Sequence, residues 1–215
     1  MSIPMRLPAA GRLQRRLPTL AAVLALISVA GCGPLLQIGG NDKAPMALLS
    51  LRAMATPVAG PASIDPAKSV LVLTPSVPGP LQTLRLPVAT HDTEIAYLTG
   101  ATWAEPPNRQ FQRVLADTIE ARGIIVLDPR QSNLAQGRTL SGTLMDFSLD
   151  VRNPAAPVVR VRYDAALTGK NQTALDVRRF DQVVPVSSQL PGDVGIALNQ
   201  AANAVANDVA AWVAR

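Results

Sequence analysis

Cysteine occurs once in the 215 residues, histidine once, and aromatic residues make up only 3%. Each scarcity removes a class of function. A single thiol cannot close an internal disulfide, and His91 with Cys32 cannot assemble a His/Cys metal cluster. A serine nucleophile would have to use His91 as its base. That residue lies in the polar stretch Thr90-His91-Asp92 and reads as a solvated loop side chain. No glycine-rich phosphate cradle and no Walker-type segment occurs, so the chain does not hydrolyse nucleotide itself. These readings point to a protein that is not an enzyme and uses no cofactor or metal. The scarcity of aromatics also means that any core must be built from Ala, Val, Leu and Ile.

Acidic residues are missing from the first 31 positions, which carry Arg6, Arg12, Arg15 and Arg16. The formal charge of +5 is therefore a property of that segment. Setting those four arginines aside leaves sixteen basic residues against fifteen acidic ones, a nearly neutral remainder that gives no electrostatic case for a nucleic-acid partner. Hydrophobic residues are 48% of the chain and charged residues 16%, enough to bury a sizeable core in one domain.

The first 31 residues have the three zones of an export signal: a basic start, the apolar run Leu20–Ala30, and small residues at Ala30 and Gly31. The apolar run is too short to span a bilayer as a helix, which needs roughly 20 residues. The sequence Val29-Ala30-Gly31-Cys32 resembles the lipobox of bacterial lipoproteins. That resemblance implies a diacylglycerol thioether on Cys32, cleavage after Gly31 and N-acylation. Acylation would also dispose of a thiol that is a liability in an oxidising compartment. Three acyl chains make a stable anchor, where one gives only marginal membrane binding. Gly33 stands where Asp commonly signals inner-membrane retention, so it resembles an outer-membrane address. Arg15-Arg16 leaves the choice between general and twin-arginine export open.

The expected organisation is a signal peptide at 1–31, a lipidated Gly- and Pro-containing tether at 32–45, and one domain at 46–215. Within that domain, Met46–Arg52 is a candidate first strand and Ala53–Ala67 a loop. Ser69–Thr74 is a buried strand, Pro75–Pro80 a turn, and Thr83–Val88 a strand limited by Pro87. Thr93–Leu98 alternates as a half-buried strand. Pro106 or Pro107 suits the first turn of a helix running to Arg122. Its stripe is Phe111, Val114, Leu115, Thr118 and Ile119, with Gln110, Arg113, Asp117 and Glu120 opposite and Gly123 as the stop. Ile124–Leu127 returns as a short buried strand.

A meander then follows. Along Thr139–Arg152, Met145, Phe147, Leu149 and Val151 alternate with Asp146, Ser148, Asp150 and Arg152. Along Val159–Leu167, Val161, Tyr163, Ala165 and Leu167 point inward. Gly169–Gln172 connects to Ala174–Val186, whose apolar phase changes between Val177 and Phe180, as a bulge would require. A last helix, capped by Asp193, buries Val194, Leu198, Ala201, Val205, Val209 and Trp212 and exposes Asn199, Asn203 and Asn207. The fold class is α+β: a single domain with a mainly antiparallel β-sheet and two amphipathic helices packed on one face.

No carboxylate pair stands out for acid–base work. Asp146 and Asp150 are about 13 Å apart by strand rise. With Arg160, Arg162, Asp164, Asp176 and Arg178 they read as a cross-strand charge ladder on a wet face, or a polar docking surface. Trp212 reads as core, and Trp103 as packing against Phe111 or neighbouring strands.

The segment Glu94-Ile95-Ala96-Tyr97, Thr102-Trp103-Ala104-Glu105-Pro106, Phe111 and Val114-Leu115-Ala116-Asp117 resembles the ABC-type transport auxiliary lipoprotein family. Tyr97, Trp103, Glu105 and Pro106 carry that likeness. The first strand lacks the Tyr often found there. The resemblance implies a non-catalytic outer-membrane lipoprotein, held at the periplasmic face by its lipid anchor. Its implied partners are the periplasmic substrate-binding protein and the permease of a mammalian-cell-entry-type ABC system that moves lipids or other apolar compounds. Phospholipid is a candidate ligand, and self-association is left open. The rival reading is a structural or assembly lipoprotein of the outer-membrane envelope.

Overall fold

The computed structural model describes residues 46–57, 69–127, 137–169 and 175–215. Cys32, the leader and the tether lie outside the described residues, as do most of the Ala53–Ala67 loop and residues 170–172 of the hairpin connection. In chain order the elements are β1 (Ala47–Leu49), β2 (Ser69–Val72), a 3-10 turn (Gly79–Leu81), β3 (Pro87–His91), β4 (Glu94–Tyr97), β5 (Ala101–Trp103), α1 (Pro107–Glu120), β6 (Ile125–Leu127), β7 (Arg138–Asp150), β8 (Val158–Thr168), β9 (Leu175–Pro185) and α2 (Pro191–Val213).

β7 is the spine. One edge pairs with β8 along its length, and β8 pairs in turn with β9, both antiparallel. The other edge is shared by β2, an isolated bridge from Ser76 to Thr143, and β3, all parallel to β7. β6 pairs parallel with β2, and β4 antiparallel with β3. β1 and β5 make a separate two-stranded parallel ladder. The expected α+β domain with its antiparallel meander is present; short parallel pairings of β2, β3 and β6 make the sheet mixed, not purely antiparallel. The α1 crossover between β2 and β6 returns the chain to the same end, which obliges parallel pairing.

α1 and α2 pack on each other; α2 also covers β8 and β9, and α1 meets β2 and β6. The stripe Phe111, Val114, Leu115, Thr118 and Ile119 is buried throughout, as is the α2 stripe from Val194 to Trp212. α1 starts with Pro107 in its first turn, and Gly123 beyond its end takes φ +76°, the left-handed conformation glycine adopts without a Cβ penalty.

Several local expectations need correction. The strand expected at Thr83–Val88 begins only at Pro87, while Leu84 and Leu86 use their carbonyls to accept Trp103 N–H, Thr102 Oγ1–H and Leu98 N–H. β4 alternates less than expected, since Ile95 is exposed. Asp193 does not cap α2. Leu190 holds the cap position, and Asp193 lies inside the first turn, where its carboxylate accepts the Ser188 hydroxyl at 2.5 Å. The bulge expected in β9 is absent: its register to β8 is unbroken from Leu175 to Pro185. Leu175 and Val177 are simply on the outer face, two-thirds exposed. The register shift lies in β7, between Leu144 and Asp146. It lets Leu144 point inward before the shift and Phe147 and Leu149 after it, leaving Met145 exposed.

One glycine is dictated by close approach. A Cβ on Gly142 would lie 2.8 Å from Tyr163 Cε2 and deep inside van der Waals contact with the Asp164 carbonyl oxygen. Tyr163 lays its ring there, donates its hydroxyl to the Ser141 carbonyl at 2.9 Å, and meets Phe111 edge-on at 5.4 Å. Gly142→Ala should destabilise the fold by about 2 kcal/mol or more, since backbone must shift to admit it. Urea unfolding of the variant measures this; a change under about 0.5 kcal/mol would show that the strand relaxes freely.

Candidate functional site

Trp103, Glu105 and Pro106 lie close to the first strand, and Tyr97 lies apart from them on β4. β1 lies beside β5, with Ala47 N–H donating to Gly100 O at 2.8 Å and Ala104 N–H to Leu49 O at 2.9 Å. Trp103, at the end of β5, is 1% exposed. Its ring centroid is 5.3 Å from Phe147 at 51° between planes, so it packs on the neighbouring sheet. Its Nε1 is buried with no hydrogen-bond partner among the described residues.

Glu105 and Pro106 form the bend into α1. The Arg113 guanidinium grips the Glu105 carboxylate with two hydrogen bonds, at 2.8 and 3.1 Å, and holds that carboxyl below its usual range. The Glu105 carbonyl accepts Gln110 Nε2–H at 2.7 Å, and Gln110 Oε1 accepts Leu51 N–H at 2.7 Å. Pro106 contributes its carbonyl to Arg109 and Gln110 at the helix start. Tyr97 stands apart from this junction. It is half-buried on β4, opposite Pro87 of β3, under the Arg85 guanidinium, 4.0 Å above its ring.

Two further residues clamp the same segment. Asn203 Oδ1 accepts Met54 N–H at 2.7 Å, while its Nδ2 donates to the Arg52 and Asn199 carbonyls. Asn199 Oδ1 accepts Arg52 N–H at 2.8 Å. Gln110 and Asn203 were expected on solvent faces; both are buried, at 1% and 3% exposure. Their amides replace the strand partners that residues 51–54 lack. A buried backbone N–H must find an acceptor, and an amide side chain offers donor and acceptor together. A signal was available: Gln110 lies in phase with Val114 and Thr118, and α2 places uncharged amides, not charges, four residues apart.

The outer face of the sheet carries the expected ladder in modified form. Arg179 donates to Asp164 at 2.7 Å, Arg160 lies 3.7 Å from Asp181, and Arg152 bridges Asp150 at 2.5 Å and Asp92 at 3.0 Å. Asp164 and Asp150 are held below the ordinary carboxylate range by those guanidinium hydrogen bonds. Asp176 leaves the ladder and accepts Trp212 Nε1–H at 2.9 Å. Asp146 differs from the rest. Burial pushes its carboxyl up, against the Ser148 hydroxyl bond at 2.5 Å and the nearby Arg160 and Arg162 charges. Among the described residues no group of three His, Cys, Asp or Glu side chains could hold a metal ion, and no helix is long and apolar enough to cross a membrane.

The family model of the ABC-type transport auxiliary lipoprotein component matches residues 49–210. The chain belongs to that family. The domain of this auxiliary lipoprotein component resembles the crystal structure of protein XCC0632 from Xanthomonas campestris, a DUF330 protein, with TM-score 0.66 and 22% identity over 77% of this chain and 93% of that one. It also resembles a crystal structure of an uncharacterized protein, with TM-score 0.60 and 18% identity over 77% and 99% of the two chains. At these identities the likeness is one of fold. No curated protein matches the chain.

Within this auxiliary component Trp103 packs beneath the strand paired with β1, Glu105 links through Gln110 to Leu51, and Pro106 starts α1. Trp103→Ala should cost about 3–5 kcal/mol through the cavity it leaves, while Trp103→Phe should cost about 1–2, because no indole hydrogen bond is lost. Equal losses in chemical denaturation would mean that the indole nitrogen has a partner after all.

Asp146 sets a pH dependence whose sign follows from its raised carboxyl. The folded protein binds that proton more tightly than the unfolded chain, so this group costs stability as pH rises through and above the usual aspartate range. Asp150 and Asp164 act oppositely, their stabilisation fading as pH falls. Asp146→Asn should therefore gain up to about 1 kcal/mol over the parent at pH 7 and nothing at pH 3.5. Paired urea titrations at the two pH values check the difference; a gain of the same size at both would remove the charge as its cause.

Proposed function

We propose that this auxiliary lipoprotein is anchored at the periplasmic face of the outer membrane by acyl chains on Cys32. There it serves, without catalysis, as the docking or receiving part of a mammalian-cell-entry-type ABC system that moves lipids or other apolar compounds between membranes. The observation that carries this reading is the family match over 49–210, preceded in the same chain by Val29-Ala30-Gly31-Cys32. Gly33 supports the outer-membrane address. The export signal at 1–31 and the tether at 32–45 supply the route and the reach.

Two structural features support the placement. The segment just after the first strand, residues 51–54, is clamped by Gln110, Asn199 and Asn203, so a load on the N-terminal side is passed to α1 and α2. Exposed apolar side chains, Met46 and Leu48 on the first strand and Leu190 and Ile196 at the start of α2, occur at this same end, where Pro191 approaches Gly100. They suit a surface held close to a bilayer. The partners proposed are the periplasmic substrate-binding protein and permease of that system, with phospholipid as a candidate ligand of the assembly.

Metabolic labelling with palmitate should mark the wild-type chain and not Cys32→Ser, and only the labelled form should sediment with outer membranes. Deletion should reproduce the detergent sensitivity of cells lacking the permease, and the tagged lipoprotein should recover the periplasmic component. Recovery of an outer-membrane β-barrel in its place would favour the assembly reading over the transport one.

A further inference from the structure

At one end of the domain a row of large apolar side chains is left in water. Met46 just before β1, Leu48 on it, and Leu190 and Ile196 at the start of α2 are each more than 60% exposed. The backbone joins them. Leu48 lies opposite Thr102 of β5, which turns outward between the buried Ala101 and Trp103. Thr102 donates its hydroxyl to the Leu84 carbonyl at 2.8 Å, which brings the part-exposed Leu84 into the row. Beside β1, a Cβ on Gly195 would lie 3.0 Å from Leu49 Cδ2, so the first turns of α2 sit directly against the strand. Pro191, next to Leu190, approaches Gly100, whose carbonyl accepts Ala47 N–H.

The charges around this row are arranged unlike those elsewhere. On β9 the exposed Leu175, Val177 and Val183 share their strand with Asp176, Arg178, Arg179 and Asp181. β1 and β5 carry no charged residue. Two exposed arginines border the row. Arg52 is held through its N–H by Asn199, which is three residues along α2 from Ile196 and therefore its neighbour on the helix surface. Arg85 follows Leu84 and lies over the Tyr97 ring. The carboxylates on the adjoining elements are already engaged, Asp193 by the Ser188 hydroxyl and Glu105 by Arg113. An apolar row edged by guanidinium groups matches the boundary of a phospholipid layer, with acyl chains below and phosphates above.

The course of the chain says what covers the row. It begins at Met46, fourteen residues beyond Cys32. Fourteen residues span at most about 50 Å when fully extended. The far end of α2, 23 residues long, lies about 35 Å beyond its start, so turning that end to the bilayer would use most of this reach. Turning the row to the bilayer needs no such extension. A face tethered this closely meets its surface at high effective concentration, so modest burial is enough to hold it there.

We propose that this row docks on the phospholipid surface that holds the anchor. Leu84, Leu48, Met46, Leu190 and Ile196 enter the headgroup–acyl boundary, and Arg52 and Arg85 meet lipid phosphates. The start of α2 then faces the bilayer and its C-terminal end points away. This deepens the transport reading and rests on its acylated Cys32.

The test uses full-length acylated protein in vesicles of phosphatidylethanolamine and phosphatidylglycerol. With Cys32 acylated, an introduced cysteine is the free thiol for a polarity-sensitive fluorophore. Labels at Leu48→Cys and Ile196→Cys should shift to the blue. Lipids carrying a nitroxide near the glycerol backbone should quench them at least about twofold, since interfacial residues sit about 5–10 Å into that boundary. A label at Met145→Cys, on the outer face of the sheet, should show neither effect. Arg52→Glu with Arg85→Glu, or pure phosphatidylcholine vesicles, should reduce the quenching at Leu48→Cys while the protein still floats with the vesicles. Circular dichroism checks that each variant is folded. Labels at Leu48 and Ile196 that stay aqueous on floating protein would overturn the docking and leave the anchor standing. Acylated protein that fails to float would overturn both. A blue shift without quenching by the nitroxide lipids would identify a protein occupant, a second copy included, and would also overturn the proposal.

Discussion

Everything in this domain rests on α2 lying against the β8–β9 face and against α1. A chain with seven aromatic residues cannot fill its interior with large rings, so it fills it by close approach. Ala197, Ala201, Ala202, Ala206 and Ala210 are buried along α2 and let the helix axis come near its neighbours, while Val194, Leu198, Val205 and Val209 occupy the space between. Dispersion and burial gain most when gaps are smallest. The few aromatics are spent at the seams: Trp103 on Phe147, Phe111 on Tyr163 and Phe180 on Trp212.

That packing also explains the amide clamp. The segment from Leu49 to Met54 crosses α1 and α2 at their meeting point, with too few strand neighbours for its backbone groups. Gln110, Asn199 and Asn203 supply acceptors from the helices themselves. A charged residue buried there would need an opposite charge beside it, whereas a neutral amide is satisfied by the backbone donors and acceptors it meets. Trp103, on the strand paired with β1, and Glu105, whose carbonyl holds Gln110 Nε2, complete the same junction.

The helices were largely legible from period alone. Phe111 to Ile119 and Val194 to Trp212 recur at helical spacing, and their burial follows. The β7–β8–β9 strands were legible from alternation, but their irregularities were misplaced. The switch from Val177 to Phe180 imitates a bulge, yet both phases are correct for an edge strand wet on its outer face. The true shift, between Leu144 and Asp146, sits in a run whose local alternation looks unbroken. Gln110 and Asn203 were misread because polar residues on a helix default to solvent, and only the path of a distant strand reveals their partners.

The linear sequence by itself determined the two helices and the antiparallel meander, because each is written in local period and alternation. Only the tertiary structure decided the parallel insertion of β2 and β3 along β7, the amide clamp on residues 51–54 and the raised Asp146 carboxyl. Those depend on which segments distant in the chain lie side by side, and on the burial that results. Strand order and desolvation are properties of the assembled fold that no local window of residues contains.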